Sequence, residues 1–579
     1  MRIASVRIDG YRNFDSALIN LSAKTLVLGS NDVGKTNLLQ AIRLLLDRTV
    51  PESELEPRES DFHIPLAGSQ AADLRIEIRL AEITQDAVIS KLKGHVSDIG
   101  ESCLVYTANR ASLSYKTFIG HSVAACEEID GRQYLKHIHF KYVESRRDIT
   151  QFIQREKRYL LKSAKEKRTP SEEVSDAASE TALQATLSGV NTGINALKYV
   201  SGATASINKE LEVLSHHNGH YAVGLESNAL NFSSFVERLS LGASSAGRSV
   251  GLGGDGRNNQ ILVGLWKAKS EIEHDSEHEA VIYCIEEPEA HLHPHQQRKL
   301  SHYLTSQLNG QVLVSTHSPQ IASAFSPGGI VRLFEKHGGA VAASNGCSAS
   351  IASAAQGFGY RMSILPAEAF FADAVLLVEG PSEVLFYHAL AAQLSIDLDF
   401  HNISILSVDG IAFGVYVAIL TALEIPWVVR TDNDVSKVPK SNPPSWQFAG
   451  LNRALSLSGL NKTIPPHSVA PTPDILHASW LEQSQDLNPR GVYVSRMDLE
   501  RDLAAECKDA LLAYTGEATE SEAVDYLQQK KAIRMAEFLS QQGTQLKALG
   551  AGNLALPLHH AVLFSSERRK VASQPKPQL

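Results

Sequence analysis

Carboxylates follow two short hydrophobic stretches in the second half of the chain. VLLVEGPSE places Glu379 and Glu383 four residues apart, and WVVRTDND ends with Asp432 and Asp434. Where neighbouring parallel strands end at one edge of a sheet, such acids meet in a single crevice. Without a cation they would repel each other and raise their own pKa values. The pattern therefore predicts a site for divalent metal acting on phosphate esters, and so favours metal-dependent cutting of nucleic acid.

The spacing within each acidic group adds detail. Asp432 and Asp434 are alternate residues, which share one face of an extended strand, so both can approach one ion. A further stretch, MDLERDL, offers Asp498, Glu500 and Asp502, again at alternate positions. From spacing alone two interpretations of this stretch stay open: a second group of metal ligands, or an exposed acidic helix start, which is the commoner case.

The first half contains a phosphate-binding pattern, TLVLGSNDVGKTN, which satisfies GxxxxGK[ST]. Backbone amides near its glycines can cradle phosphates, the lysine can reach the terminal phosphates, and the threonine can bind Mg²⁺. A glycine turn without ligand is the alternative, but the pattern follows an apolar strand and opens an apolar helix. We therefore predict a site for ATP or another nucleoside triphosphate with Mg²⁺, formed by Gly29, Asn31, Gly34, Lys35, Thr36 and Asn37.

Two later stretches can complete this nucleotide site. In VIYCIEEPE five apolar residues precede Glu286, the expected magnesium-side carboxylate, and Glu287, the expected general base that polarises the attacking water. An acidic helix start is the alternative interpretation of EEPE. In QVLVSTHSP, His317 follows another apolar strand, where it can touch the terminal phosphate; an ordinary loop histidine is the alternative.

The elements that must position these residues alternate between strands and helices, which predicts an α/β fold. DLRIEIRLAE alternates apolar and charged residues and predicts a half-buried antiparallel strand. We expect an ATPase domain over 1–348, interrupted by a polar helical insertion at 151–231. A second α/β domain, over 349–565, and a disordered tail over 566–579 complete the prediction.

Bulk properties narrow the class of protein. A length of 579 residues exceeds one core, and the net charge of −9 means that a polyanion must meet local basic surface or metal ions. The five cysteines form no CxxC pair, which argues against zinc ribbons and a disulfide framework. No apolar run reaches the roughly 18 residues that span a bilayer. We expect a cytoplasmic protein that is neither exported nor membrane-inserted.

The order of the P-loop, GLGGDGRN (Gly251–Asn258), EEPEAHLHP and STHSP resembles the ATP-binding cassette ATPases of the SMC and RecF kind. In that group the glycine-rich signature caps nucleotide bound by the opposite protomer. Two departures stand out: Glu286 replaces the usual aspartate, and LGGDG replaces LSGGQ. Efficient hydrolysis therefore does not follow from the motifs, and nucleotide can act mainly as a signal.

EGPSE with TDND resembles the Toprim domain, and its union with an amino-terminal cassette ATPase resembles the OLD (overcoming lysogenisation defect) family of nucleases. GSNDVGKTN, IEEPE, STHSP, LLVEGPSE, TDND, GLNR and VSRMDLERDL, in this order, are similar to the nuclease subunits of the Gabija anti-phage system within that family. The resemblance implies a Mg²⁺-dependent endonuclease, with Mn²⁺ as an alternative ion, that nicks or cuts double-stranded DNA and is restrained by bound nucleotide.

The resemblance also implies roles and partners. It assigns Glu379, Glu383, Asp432 and Asp434 to the first metal group, and Asp498 and Glu500 to the second. Lys531 matches a lysine that stabilises charge on the transferred phosphate, with Lys530 one residue away as the alternative; a surface lysine pair is the plainer interpretation. The family implies homodimers to homotetramers through the ATPase domain and helical insertion, and a GajB-like helicase subunit.

Three alternatives remain open from the sequence. The basic run at 155–168 can meet DNA or form a solvated helix face. The chain can instead be a SMC- or RecF-like repair or DNA-tethering ATPase whose Toprim half does not cut. A strand-passing topoisomerase would need a tyrosine placed for a covalent DNA link, and no motif places one.

Overall fold

The computed structural model describes residues 1–144, 157–158, 160–162, 164–214, 236, 243–245, 248–250, 279–290, 292–356, 364–408 and 412–575. The chain divides into two compact units. The first comprises Met1–Ser145, Asp275–Glu289 and Pro294–Leu579, and the second comprises Arg146–His274 and Ala290–His293.

Strands and helices alternate along much of the chain. The described strands are β1 (Arg2–Tyr11), β2 (Phe14–Asn20), β3 (Lys24–Leu28), β4 (Asp73–Ala81), β5 (Ser102–Asn109), β6 (Ser114–Gly120), β7 (Glu127–Glu128), β8 (Ile138–Val143), β9 (Ala243–Ser245), β10 (Arg248–Val250), β11 (Ala280–Glu286), β12 (Gln311–Ser315), β13 (Ile330–Lys336), β14 (Gly339–Ala342), β15 (Ala374–Val378), β16 (Ile403–Ser407), β17 (Trp427–Thr431), β18 (Val435–Lys437), β19 (Trp446–Phe448) and β20 (Val492–Val494). The described α-helices are α1 (Lys35–Leu46), α2 (Glu52–Leu55), α3 (Asp86–Leu92), α4 (Pro170–Ala196), α5 (Lys198–Leu214), α6 (Pro294–Ser306), α7 (Pro319–Ala322), α8 (Ala349–Gln356), α9 (Ile364–Ala369), α10 (Pro381–Gln393), α11 (Phe413–Ala422), α12 (Ala449–Leu457), α13 (Pro473–Leu487), α14 (Leu499–Glu506), α15 (Lys508–Thr515), α16 (Glu520–Gln528), α17 (Lys531–Gln542) and α18 (Leu556–Ser573).

Two six-stranded sheets enclose the core of the first half. One is antiparallel, in the order β2-β1-β4-β5-β6-β7, and the other has the order β14-β13-β3-β12-β11-β8. The second sheet is parallel except for the β13–β14 hairpin. Helix α1 packs its apolar side against residues of both sheets, as the sequence pattern predicted. The residues of that side are Leu38, Leu39, Ile42, Leu45 and Leu46.

A four-stranded parallel sheet forms the centre of the second half, in the order β16-β15-β17-β20. Its strands are short and apolar, and every residue of β15 is buried. Helices α10 and α14 to α18 contribute residues to the same core, with Phe386, Tyr387 and Phe538 among the largest fully buried side chains. Because β15 and β17 are adjacent and parallel, their carboxyl ends lie side by side.

Arg332, a buried residue of β13, ties the two halves together. It pairs in register with Leu28, the last residue of β3 before the glycine-bounded loop. Its guanidinium donates to carbonyl oxygens just ahead of β15, at Phe370 and Ala372, and just ahead of β17, at Leu423 and Glu424, over 3.0 to 3.4 Å. The Arg332 side chain thus binds the backbone just before β15 and β17, the two strands that Glu379 and Asp432 follow.

The expected disordered tail from residue 566 is wrong over much of its length, because α18 continues to Ser573. Arg568 and Arg569 approach the carboxylate of Asp373, each at 3.9 Å, and backbone amides of the β13–β14 hairpin donate to carbonyls at the end of the helix. The sequence shows few apolar residues here, but these polar contacts hold the helix against the fold.

The second unit contains the helical pair α4 and α5 and the hairpin β9–β10. It runs from Arg146 to His274, beyond both ends of the insertion expected at 151–231. Within the predicted basic run at 155–168, residues 155, 156, 159 and 163 lie outside the described part of the chain, as does the whole GLGGDGRN signature.

Two further features concern the cysteines and the apolar character of the helices. All five cysteines are free thiols, as expected from their spacing. Among the helices of the described ranges, none is long and apolar enough to cross a membrane.

Candidate active sites

The first acidic pattern meets at the edge of the four-stranded sheet. Glu379 follows β15, and Asp432 follows the neighbouring strand β17. Glu379 Oε1 accepts hydrogen bonds from the Asp432 amide at 2.9 Å and from Thr431 Oγ1 at 2.5 Å. These contacts lock the ends of the two strands together, as their shared edge predicted.

Glu383 and Glu500 bring further buried carboxylates to this edge. Glu383 lies in the first turn of α10 and is 6% exposed, while Glu500, in the first turn of α14, is 1% exposed. Burial raises the pKa of both, and each feels the charge of other acids at the site. Burial, followed by the charges of Glu379 and Glu383, raises the pKa of Asp432 to about 8. The edge therefore holds concentrated negative charge in a poorly solvated place.

Asp498 and Asp502, in the MDLERDL stretch, have structural partners. Asp498 is the N-cap of α14 and accepts from the Arg501 amide at 2.8 Å, which is the acidic helix start weighed from the sequence. Asp502 accepts from the buried Arg430 at 2.7 Å. Asp498 Oδ1 caps the helix, and Asp498 Oδ2 accepts from Gln528. Both oxygens therefore have protein partners, and the assignment of Asp498 as a metal ligand is a proposal.

The sheet edge that carries Glu379, Glu383, Asp432 and Glu500 is termed the acidic edge. Arg453, on α12, lies across it. Its Nη1 lies 2.7 Å from Glu379 Oε1 and its Nη2 lies 2.7 Å from Asp434 Oδ2. Nη1 also donates to Thr431 Oγ1 at 2.5 Å. Sequence reasoning included Arg453 only as a letter of GLNR and gave it no role, because nothing in its spacing shows that it returns to TDND.

The side chains of the acidic edge bear on whether it can hold a metal ion. Within the residues that the structure describes, no three histidine, cysteine, aspartate or glutamate side chains are arranged to hold one ion. Glu379 and Asp434 are directed instead at Arg453. Yet Glu500 Oε2 is buried with no hydrogen-bond partner among the described residues, and all the available donors are carboxylate oxygens. This donor set fits a hard divalent cation such as Mg²⁺.

Lys531 is the cation nearest to the buried acids. At the start of α17, its Nζ lies 3.9 Å from Glu500 Oε2. Burial opposes its charge, but Glu500, Asp432 and Glu383 raise its pKa overall. Lys530 precedes the helix and is exposed, with no ion pair recorded in the described part of the chain. Of the two lysines, Lys531 is therefore the one with a recorded contact to the buried acids in the described part of the chain.

The glycine-bounded loop takes a conformation that its glycines permit. Gly29 and Gly34 have φ values of 155° and 109°, and a Cβ on Gly34 would lie 2.3 Å from the side chain of Asn13. Lys35 is buried and donates through Nζ to the carbonyl oxygens of Gly29 at 2.9 Å and Ser30 at 2.7 Å. Burial lowers the pKa of Lys35 to about 8.

The remaining residues of the loop differ in their surroundings. Asn31 and Thr36 are exposed. Asn37 Nδ2 donates to Asn13 Oδ1 at 2.8 Å, and Arg12 donates to Asn37 Oδ1 at 3.0 Å. Asn37 is therefore held by two residues between β1 and β2, and these contacts position the start of α1.

Acidic residues at the end of β11 and just after it act on the charge of Lys35. Glu286 ends β11, and Glu287 follows with a φ of 40°. His317 Nε2 lies 3.6 Å from Glu287 Oε1, so the predicted base and the predicted phosphate-contacting histidine are adjacent. The carboxylates of Glu287, Glu289 and Glu286 all act on the charge of Lys35.

Two residues of this site were missed from the sequence. Tyr142, on β8, donates to Glu286 Oε1 at 2.9 Å. Glu289 accepts from the His317 amide at 2.7 Å, and burial raises its pKa. Glu289 is the last residue of EEPE, but the sequence gave a role only to Glu286 and Glu287. Tyr142 had no local signal because β8 joins β11 only in the folded sheet.

A polar cavity of about 400 Å³ opens beside α1. Thr36 and Gln40 line one side, and Tyr11, Arg12, Arg58 and Tyr106 line the others. It adjoins the phosphate-binding loop through Thr36. Its volume lies within the range of about 300–1,000 Å³ that is typical of small-molecule sites.

A P-loop ATPase half followed by a parallel sheet edged with carboxylates defines an α/β protein of the ATPase–Toprim class, as the sequence predicted. The chain belongs to the AAA ATPase domain family, whose model matches residues 1–186 and 134–322, more than half of its length. Residues 370–434 match the Overcoming lysogenization defect protein-like, TOPRIM domain. The resemblance to the OLD family is therefore confirmed.

Similar proteins were found among characterised chains and solved structures. Endonuclease GajA of Bacillus cereus (strain VD045) is 24% identical over 94% of this chain and 96% of that protein. An SmcHead bound to the C-winged helix domain of ScpA aligns with 59% of this chain and 97% of its own, at 15% identity and a TM-score of 0.36. The C-terminal region of the Xanthomonas campestris pv. campestris OLD protein aligns with 35% of this chain and 98% of its own, at 20% identity and a TM-score of 0.21.

Proposed function

We propose that the protein is a Mg²⁺-dependent DNA endonuclease whose cutting is regulated by nucleotide at its ATPase site. The observation that carries the proposal is the meeting of Glu379, Asp432, Glu383 and Glu500 at one sheet edge beside Lys531. Similarity to Endonuclease GajA over nearly the whole length supports the same activity. We further propose a role in anti-phage defence, assembly into homodimers or homotetramers, and a helicase-like partner subunit.

The acidic edge would bind divalent metal ions and the phosphate of DNA. Glu379, Glu383, Asp432, Asp434, Asp498 and Glu500 would hold Mg²⁺ or Mn²⁺. When bound, such ions polarise phosphate oxygens and lower the pKa of coordinated water. Thr431 and the Asp432 amide orient Glu379 Oε1, and Lys531 places a positive charge where the phosphate gains negative charge.

The ATPase site prepares a place for nucleoside triphosphate with Mg²⁺. Lys35 would exchange its bonds to loop carbonyls for bonds to terminal phosphates, and the cavity beside Thr36 would take the nucleoside. Glu287, beside His317, is placed to act as the general base if hydrolysis occurs. We propose that bound nucleotide restrains cutting, so that depletion of nucleotide releases it.

A plasmid assay tests the proposed function. Purified protein with Mg²⁺ should convert supercoiled plasmid to nicked or linear forms, EDTA should stop the reaction, and ATP should suppress it. Supercoiled DNA that persists under every condition, together with DNA-stimulated ATP hydrolysis, would instead favour the tethering ATPase.

The two lysines at the start of α17 form a matched pair for mutation. We expect Lys531→Met to slow plasmid nicking roughly 100-fold, because a charge aimed at the transferred phosphate is lost. Lys530→Met removes the same charge one residue away and should cut at the wild-type rate. Initial nicking rates of the two variants measure the difference, and equal losses would show that neither lysine has a specific role.

A further inference from the structure

The stretch immediately after Asp434 carries positive charge and no acidic residue. Between Asp434 and Asp474 there is no aspartate or glutamate, while Lys437, Lys440, Arg453 and Lys462 supply positive charge. The whole protein carries a net charge of −9. Residues 435–473, which we term the acid-free segment, are thus a local basic region beside the acidic edge.

The acid-free segment is fixed to the acidic edge. Its hairpin, β18–β19, begins at the residue after Asp434, and the Gly450 amide of α12 donates to the Asp434 carbonyl at 3.0 Å. A Cβ on Gly450 would lie 2.1 Å from the Asp432 carbonyl oxygen, so the helix packs directly on this backbone. The segment therefore keeps a constant position relative to the proposed catalytic acids.

The segment has its own apolar anchor. Phe448, Leu451 and Leu455 pack with Trp480 and Val492 in a small buried cluster. Its stability therefore rests on these apolar contacts, and its exposed lysines are not needed to hold the fold.

Two of the cations in the segment have acidic partners, and two do not. Arg453 binds Glu379 and Asp434, and Lys462 lies 3.7 Å from Asp486. Lys437 and Lys440 are exposed, and no ion pair to either is recorded within the described ranges. By contrast Lys508, elsewhere in this half, lies 2.6 Å from Glu520. The hairpin thus leaves two positive charges available to a ligand.

The hairpin also fixes where one of these charges lies. Lys437 is directly opposite Trp446 in the antiparallel register, and its Nζ lies 5.4 Å from the centre of the indole. The backbone of Trp446 exchanges two hydrogen bonds with His467, at 2.8 and 2.7 Å, which braces the strand from its other side. A cation held over an aromatic ring has less freedom than an ordinary surface lysine.

We propose that the acid-free segment binds the phosphate backbone of DNA, with Lys437 and Lys440 contacting phosphates that flank the one presented to the acidic edge. This inference rests on the proposed function. Continuity with the acidic edge, the absence of acids and the unpaired charges fit a ligand with regularly repeated negative charge. Such contacts position DNA without reading its sequence.

Binding measured without cutting tests the inference. The probe is a fluorescently labelled DNA duplex, with Ca²⁺ in place of Mg²⁺, and dissociation constants are taken over a series of salt concentrations. We expect the double variant Lys437→Ala/Lys440→Ala to bind roughly ten-fold more weakly. The slope of log K against log salt should fall in magnitude by about 1.8, because two phosphate contacts are lost.

Three further variants and probes complete the design. Lys437→Arg/Lys440→Arg keeps both charges and should bind like the wild type. Lys547→Ala/Lys570→Ala removes two exposed lysines outside the segment and should also leave the affinity unchanged. Melting temperatures of all variants check the fold, and polyglutamate competition tests an acidic protein as the alternative partner.

The outcomes separate this inference from the proposed function. Unchanged affinity and slope in Lys437→Ala/Lys440→Ala, with wild-type binding and cutting intact, would overturn the inference alone, as would an equal loss in Lys547→Ala/Lys570→Ala. Loss of polyglutamate binding without loss of DNA binding would reassign the segment to an acidic protein. A wild-type protein that neither binds nor cuts the duplex would remove both proposals.

Discussion

Glu379→Ala is expected to lose nuclease activity by roughly a thousand-fold or more, because the change removes the carboxylate on which the acidic edge is organised. Glu379 Oε1 accepts from Thr431, from the Asp432 amide and from Arg453, so no neighbouring side chain can replace it. The measurement is the initial rate of plasmid nicking with Mg²⁺ across a range of ion concentrations.

Two controls separate this effect from unfolding. Glu379→Gln keeps the shape of the side chain and should be almost as inactive. Its neutral amide is a poorer ligand for Mg²⁺ than the carboxylate that it replaces. Glu82→Ala removes an exposed glutamate that pairs with Arg2 at the surface and should cut normally. Substantial nicking by a folded Glu379→Ala protein would sink the proposed catalytic site.

The second large effect is expected at the other site. Lys35→Ala should still nick plasmid, but the ATP concentration that halves the rate should rise by about ten-fold or more, because a charge-assisted phosphate contact is lost. Lys35 is buried in its loop, and Glu287, Glu289 and Glu286 act on its charge. Nicking rates at increasing ATP concentrations measure the change.

A matched control for Lys35 lies in the same half of the chain. Lys116→Ala removes an exposed lysine that pairs with Glu128 and should leave ATP inhibition unchanged. If Lys35→Ala were inhibited by ATP as strongly as the wild type, the P-loop would not be the regulatory site. If it failed to nick DNA without nucleotide, restraint by nucleotide would be the wrong description.

The parts of the fold that could be predicted from sequence depend on local patterns. The strand, glycine-bounded loop and apolar helix around Lys35 are contiguous, so composition and period suffice to predict them. The meeting of Glu379 with Asp432 also followed from a general rule, because both residues end apolar strands of a parallel sheet.

The parts that could not be predicted depend on contacts between distant residues. Arg453 reaches Glu379 across 74 positions, and Tyr142 reaches Glu286 across 144. Neither residue stands in a pattern that distinguishes it from a surface arginine or a strand tyrosine. The final helix was missed for the same reason, since Arg568 and Arg569 are anchored by Asp373, far away in sequence.

The proposed ligands of both sites must displace contacts that the protein makes within itself. Lys35 is bound to carbonyl oxygens of its own loop, and Arg453 bridges Glu379 and Asp434. A phosphate that binds Lys35 replaces these carbonyl oxygens, and a metal ion that binds the two carboxylates replaces Arg453, so each entry is an exchange reaction. We expect the observed binding free energy at each site to be the difference between two strong interactions. Occupancy of each site would then respond to ordinary changes in the cellular concentration of its ligand, instead of saturating at low concentration.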